Sequence, residues 1–287
     1  MIGDQGHAAS GDNGYALVAA VASILFIGVM ALGILALTRR VLVTGGADVD
    51  AARVSAAAEA GIALALRGLL SDNPGEAIAA DGRHRQIMFD RAKLDISVTD
   101  ERGKVPLNLV DETQLTSLLE YVGLSGEPLE IARDSFLDWI DDDDEVRANG
   151  AEADYYRVRG LRTRNAGFVT LGELARVRGF SPSTVQKIAA VATTDFGNGS
   201  FDTHVASAEA IRIMYPKGDA AIDEIISKRE AQGQTTAFAF SDRTSWTGRP
   251  LTIIATASLA SGASAQRRCT IELTGADRRP YVIRHCD

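Results

Sequence analysis

The chain has 287 residues, 46% hydrophobic and 24% charged, with a formal net charge of −8. At about 150 residues per domain this allows roughly two compact units, and the apolar share excludes a disordered chain. Net acidity argues against charge-driven nucleic-acid binding, while two cysteines and four scattered histidines exclude a disulfide-rich scaffold, a Cys-rich zinc fold and a His-based metal site.

Residues 1–14 are polar and contain Asp4 and Asp12 but no Lys or Arg. Residues 15–37 carry no charge, and Thr38-Arg39-Arg40 ends the run. About 23 residues rising ~1.5 Å each reach ~34 Å, enough to cross a hydrocarbon core of ~30 Å. No A-x-A-like site closes the run, so a retained transmembrane helix is expected rather than a secretory signal. Arg39-Arg40 alone would place the body in the cytoplasm. One charge pair is a weak signal for a large translocated domain, and the motifs further along point outward.

Residues 48–70 are Ala-rich, with Val54, Ala57, Ala58, Ile62, Leu64 and Leu66 near helical spacing. Gly45-Gly46 is expected to kink or break the stem helix, and Ser71-Asp72-Asn73-Pro74-Gly75 to stop it. Leu94-Asp95-Ile96-Ser97-Val98-Thr99 alternates as a half-buried strand. A turn is expected at 100–104, with Val105, Leu107 and Leu109 as the partner strand. From about 111 to 191 the pattern is helical. Leu115, Leu118, Leu119 and Val122 form one face, and Ile131, Phe136, Leu137 and Ile140 another. After Phe196-Gly197-Asn198-Gly199-Ser200 come helices at 206–214 and 219–230, then strands at 251–257, 269–273 and 281–285. A helical block interrupting a sheet accounts for strand regions so far apart in sequence.

The densest chemical signal is 138–154. It holds Asp138, Asp141, Asp142, Asp143, Asp144, Glu145, Glu152 and Asp154, with Arg147 as the one cation. Oxygen donors without Cys or His favour Ca²⁺ over zinc, copper or nickel, and so many carboxylates disfavour Mg²⁺. Counted from Asp141, loop positions 1, 3, 5, 9 and 12 are Asp141, Asp143, Glu145, Asn149 and Glu152, with the Arg147 carbonyl at position 7. Position 6 is Val146, where an EF-hand needs glycine, so a true EF-hand is rejected. The residues alone leave a Ca²⁺ loop or a solvated acidic loop. Trp139 and Tyr155-Tyr156 are expected to anchor the loop's ends to the helical core. Cys269 and Cys286 either form one disulfide, closing about 17 residues for roughly 3 kcal/mol, or stand as two thiols. Val122-Gly123-Leu124-Ser125-Gly126 and, less well, residues 177–182 resemble helix-hairpin-helix turns. Glu127 and Glu130 would repel phosphate there, which favours an ordinary hairpin. No nucleophile elbow, H-E-x-x-H, phosphate loop or dinucleotide fingerprint occurs, so nothing points to catalysis.

Gly14-Tyr15-Ala16-Leu17-Val18, opening the uncharged run, resembles a prepilin processing site, cut after glycine. The fifth mature residue would be Ala19, where most pilin-like proteins carry Glu, and that lack is typical of the type II secretion minor pseudopilin K family. Leu137-Asp138-Trp139-Ile140-Asp141-Asp142-Asp143-Asp144, Asn149-Gly150-Ala151-Glu152 and Tyr155-Tyr156 look like its acidic signature. Val105-Pro106-Leu107-Asn108-Leu109, Phe168-Val169-Thr170-Leu171-Gly172-Glu173-Leu174 and, more divergently, residues 201–207 are similar to further family segments.

The resemblance implies an α+β fold. A long transmembrane and stem helix would lead into a pilin-like α/β domain with an antiparallel sheet, interrupted by an inserted all-α domain. The boundaries would be a leader at 1–14, a membrane helix at 15–40, pilin-like parts at 41–110 and 198–287, and the insert at 111–197. It also implies Ca²⁺ held within the acidic segment and processing at Gly14 with Tyr15 as the methylated N-terminus. The partners would be the minor pseudopilins I and J, the major pseudopilin, prepilin peptidase and inner-membrane lipid, without nucleic acid. The chain would be a non-enzymatic single-pass inner-membrane protein with its body in the periplasm, starting or capping a secretion pseudopilus. The alternatives are a membrane-anchored Ca²⁺-binding extracytoplasmic domain and a membrane-tethered helix-hairpin-helix DNA-binding protein.

Overall fold

The computed structural model describes residues 12–73, 75–218, 220–231 and 246–287. Residues 1–11 of the expected leader lie outside them. Helix α1 (Asp12–Leu70) runs unbroken for 59 residues, about 88 Å at ~1.5 Å per residue. The break expected at Gly45-Gly46 does not occur. Each glycine costs only about 1 kcal/mol relative to alanine, and the Ala-rich stretch that follows carries the helix on.

The two halves of α1 have different surroundings. Leu17–Leu35 is long and apolar enough to cross a membrane, and none of it is buried within the protein. Further along, Val54, Ala58, Ile62, Ala65 and Leu69 fall on one helical stripe and are buried. They face Leu94, Ile96, Val98, Ile253, Ala255 and Ile271 on one sheet face, forming the first hydrophobic core. The helix lies close to this sheet at Gly61, where an added Cβ would stand 2.7 Å from the Ala255 Cβ.

The sheet begins with β1 (Arg85–Phe89) and β2 (Ala92–Asp100). The Asp100 carboxylate then accepts from the Arg102 amide and caps a 3₁₀ turn, so the chain leaves the sheet. The hairpin expected between 94–99 and 105–109 is therefore not formed. Instead β3 (Val105–Pro106) pairs in parallel with β4 (Ala192–Thr193), which brings the entry and exit of the helical region together. That region holds α2 (Glu112–Tyr121), α3 (Glu127–Ile140), α4 (Ala153–Arg157) and α5 (Pro182–Val191). After β4 come α6 (Ala208–Met214) and α7 (Ala220–Ala231). The second core joins Leu115, Leu118, Leu119, Phe136, Tyr156 and Ile188 to Ile211 and Ile213 of α6.

The chain returns to the sheet as β5 (Pro250–Ser258), β6 (Ser264–Ala276) and β7 (Arg279–Cys286). The strand order is β1-β2-β5-β6-β7, antiparallel throughout. Leu94 stands opposite Ala257 and Val98 opposite Ile253, joining strands separated by the whole helical region. Cys269 and Cys286 are register partners on β6 and β7 and form a disulfide.

Candidate metal centre

Helix α3 starts at Gly126, whose φ of 56° suits glycine, with Pro128 in its first turn. Leu129, Ala132, Phe136 and Trp139 recur at helical spacing and bury one side. Asp134 and Asp138, one turn apart, are buried as well. Asp141 is the C-cap residue. The C-terminal end of a helix dipole is its negative end, so Asp138 and Asp141 lie where carboxylates are least favoured.

The loop that follows folds back over these acids. The Asn149 amide donates to Asp134 Oδ2 at 3.1 Å, and the Arg178 guanidinium donates to the Gly150 carbonyl at 2.9 Å. Gly150 fits only because it has no side chain: a Cβ there would stand 1.9 Å from Asp138 Oδ2. This close approach carries Glu152 to the end of α3. One carboxylate oxygen from each of Asp138, Asp141 and Glu152 then lies within 4.8 Å of the other two.

Arg147 faces this group. Its Nη1 donates to Asp138 at 2.7 Å and to Asp141 at 2.5 Å. Burial works against the guanidinium's charge, but the hydrogen bonds to Asp141 and Asp138 outweigh it and raise its pKa above the ordinary value. Both Glu152 oxygens and Asp141 Oδ1 are buried without a hydrogen-bond partner among the described residues. Burial, then the charges of Asp138 and Asp141, push the Glu152 carboxyl up to about 7. Three acids against one arginine leave a formal charge of −2 when all are ionised.

A hard divalent cation fits this donor set. Oxygens on opposite sides of a Ca²⁺ stand about 4.6–5.2 Å apart, and the orphaned oxygens are those such an ion would satisfy. Asp138, Asp141 and Glu152 would hold it, with the remaining ligands drawn from backbone carbonyls and water.

The other acids of the segment lie elsewhere. Asp142, Asp143, Asp144 and Glu145 are exposed. Asp143 accepts from the Glu145 amide at 2.8 Å, and Asn165 reaches the Asp143 carbonyl at 2.9 Å. Asp154 points outward to Arg157 at 2.9 Å. Of the EF-hand-like positions, the first and twelfth meet, while Asn149 turns to Asp134. Trp139 is buried edge-on to Tyr156, 5.0 Å between centroids, and parallel to Phe168 at 6.4 Å. At the first helix-hairpin-helix-like turn, the first turn of α3 carries Glu127 and Glu130. Tyr15 is exposed in the first turns of α1, next to Gly14.

Sequence reasoning gave Arg147 only a carbonyl role and gave Asp134 and Gly150 no individual part. The Asn-Gly-Ala-Glu spacing was visible, but its reason, the contact of Gly150 with Asp138, is tertiary. A second charged cluster was also missed. Arg249 pairs with Asp100 and donates to Asp202 at 2.7 Å. The remaining oxygens of these acids accept from the Arg102 and His204 amides, both at 2.9 Å.

An N-terminal apolar helix running into an antiparallel sheet, with helices between its strands, defines a membrane-anchored type of α+β architecture by the length and apolarity of the helix. Residues 95–194 match the family model of Type II secretion system (T2SS), protein K. This stretch contains the acidic loop and most of the helical region. Among solved structures, the chain is similar to one from the crystal structure of the GspK-GspI-GspJ complex of the enterotoxigenic Escherichia coli Type 2 Secretion System. The likeness has a TM-score of 0.54 at 13% identity, covering 85% of this chain and 97% of that one. No protein with a curated description matches. Residues 95–194 are thus similar to protein K of type II secretion, and the fold of the whole chain is similar to that of a chain in the GspK-GspI-GspJ complex.

Proposed function

We propose that this chain is a minor pseudopilin at the tip of a type II secretion pseudopilus, where it starts or caps the filament with minor pseudopilins I and J. The observation that carries this is the division of α1. Its first half, Leu17–Leu35, offers apolar side chains to lipid or to neighbouring helices. Its second half is fixed to the sheet through Val54, Ala58 and Ile62. One continuous helix of 59 residues therefore ties the body to whatever surrounds the apolar end. A subunit built this way exchanges lipid for neighbouring helices without refolding.

In this reading prepilin peptidase cuts after Gly14, leaving an N-methylated Tyr15. The apolar half of α1 lies in the inner membrane as a single span, with the body in the periplasm, until it joins the helices of the major pseudopilin. The helical region between β2 and β5 adds bulk that would hinder stacking of another subunit. The role is mechanical rather than enzymatic. Calcium at Asp138, Asp141 and Glu152 would neutralise their charge and hold the 141–152 loop on α3.

The GspK-GspI-GspJ likeness supports I and J as partners. The test is co-purification of the full chain from membranes with the I and J subunits of its own system, with the mature N-terminus read by mass spectrometry. A ternary complex whose chain begins at Tyr15 is expected. A chain that keeps Met1 and fails to associate with either subunit defeats the reading.

A further inference from the structure

We propose that Arg147 is a tethered counter-ion that a divalent cation must displace, so that the acidic loop exchanges an internal guanidinium for a free ion. The proposal rests on the cation reading of Asp138, Asp141 and Glu152. Three observations carry it.

The first is position. Arg147 Nη1 stands 2.7 Å from Asp138 Oδ1 and 2.5 Å from Asp141 Oδ2, occupying space that an ion at ~2.3–2.6 Å from these carboxylates needs. Two cations cannot share that space, so binding of one expels the other.

The second is incomplete neutralisation. Arg147 bonds two of the three carboxylates and leaves Glu152, 6% exposed, with both oxygens unpartnered among the described residues. An ion reaching all three acids satisfies what the guanidinium does not.

The third is a way out. The Arg147 side chain is 39% exposed, whereas that of Asp138 is fully buried. The Arg147 backbone amide stays near Asp138, 3.3 Å from Oδ2. The side chain can therefore swing into water while the loop keeps its path. In the ion-free chain Arg147 keeps Asp138 and Asp141 from standing without a counter-charge; in the loaded chain it is dispensable.

The exchange makes Arg147 lower the apparent calcium affinity and stabilise the ion-free form. Both effects are measurable on the full chain in detergent micelles, by titration calorimetry with CaCl₂ and by thermal unfolding with CaCl₂ or EGTA. Arg147→Gln is expected to bind calcium about tenfold more tightly, or about 1.4 kcal/mol. It should melt lower than wild type in EGTA and close to it in calcium. Arg147→Lys keeps the charge but not the planar fork and should fall between.

Equal or weaker binding by Arg147→Gln, with wild type binding calcium, overturns the exchange and leaves the metal site standing. Calcium binding by Arg147→Gln alone supports the exchange in its strongest form. Binding by neither removes the metal site and the exchange with it. A readout on wild type alone remains if Arg147→Gln does not fold. Phenylglyoxal labelling of Arg147, followed by mass spectrometry, should rise severalfold on adding calcium. Unchanged or reduced labelling in calcium-loaded protein counts against displacement.

Discussion

Arg249 and Arg147 each bridge two acids, and the two clusters differ in whether the acids are fully bonded. Where the sheet meets the loop before α6, Arg249 lies between Asp100 and Asp202, and every carboxylate oxygen of the pair accepts a hydrogen bond. At the end of α3, Arg147 lies between Asp138 and Asp141 with Glu152 beside them, and three buried oxygens accept none. Burial of acids alone therefore argues for a cation at neither cluster; an excess of carboxylate that the protein's own donors do not satisfy is what makes the α3 cluster the candidate.

The largest expected effect falls on the closed cluster. Arg249→Met leaves the fully buried Asp100 side chain without its guanidinium. The loss of stability should be about 3–5 kcal/mol, read as a fall in the urea or thermal midpoint. It should be the same in calcium and in EGTA. A loss that calcium rescues would make the two clusters one system and end the contrast.

Next comes the contact that brings Glu152 to α3. In Gly150→Ala the added methyl meets the Asp138 carboxylate, so the loop or the helix end must shift, at about 1–3 kcal/mol. Calcium binding should weaken in the same variant, because the shift separates Glu152 from the other two acids. Calorimetry checks this. Unchanged calcium affinity would show that the approach of the loop to α3 does not set the site.

The closed cluster has its own pH signature. Burial pushes the Asp202 carboxyl up, but hydrogen bonds from Arg249 and the His204 amide outweigh it and leave its pKa below the ordinary value. Asp202 therefore contributes stability above the unfolded pKa of ~3.9, and that contribution is lost as pH falls through the folded value. At Asp100 burial prevails over Arg249 and raises the pKa. Its ionisation thus disfavours the fold as pH rises from ~3.9 through the folded value. The two slopes oppose each other. Asp202→Asn should remove the stabilising component and flatten the loss of stability as pH falls below about 4, read by unfolding midpoints at a series of pH values. An unchanged acid limb would show that Asp202 is not held by Arg249 in solution.

The parts of the fold legible in sequence are those whose partners are solvent on one side and core on the other. Alternation at 94–99 and 251–257 marks β2 and β5, and the apolar spacing of Leu115, Leu118 and Leu119 marks α2. β1 was missed because Arg-Gln-Ile-Met-Phe has no alternation to read. It is an edge strand with Ile87, Met88 and Phe89 exposed. The expected hairpin of β2 with 105–109 does not form because the Asp100 cap turns the chain away locally, while the strand that takes that side of β2, β5, enters 150 residues later. Acid density marks the segment in which Asp138, Asp141 and Glu152 converge. It did not separate inward acids from outward ones, since that division depends on the close approach at Gly150. The Asp100–Arg249 pair spans 149 residues, and no local pattern announces it.

The smallest expected effect tests that inward–outward division. Asp144 is exposed, and Asn165 reaches its carboxylate only at 3.4 Å. Water and salt screen such a charge over about 8 Å. Asp144→Asn should leave stability within about 0.5 kcal/mol and change calcium affinity by no more than about threefold. Glu152→Gln keeps the shape of a buried residue but replaces the anionic carboxylate by a neutral amide with one acceptor oxygen, and should weaken calcium binding by at least about tenfold. If the two variants weaken binding equally, the segment acts as a diffuse acidic cloud, and the convergence of Asp138, Asp141 and Glu152 is not what selects the ion.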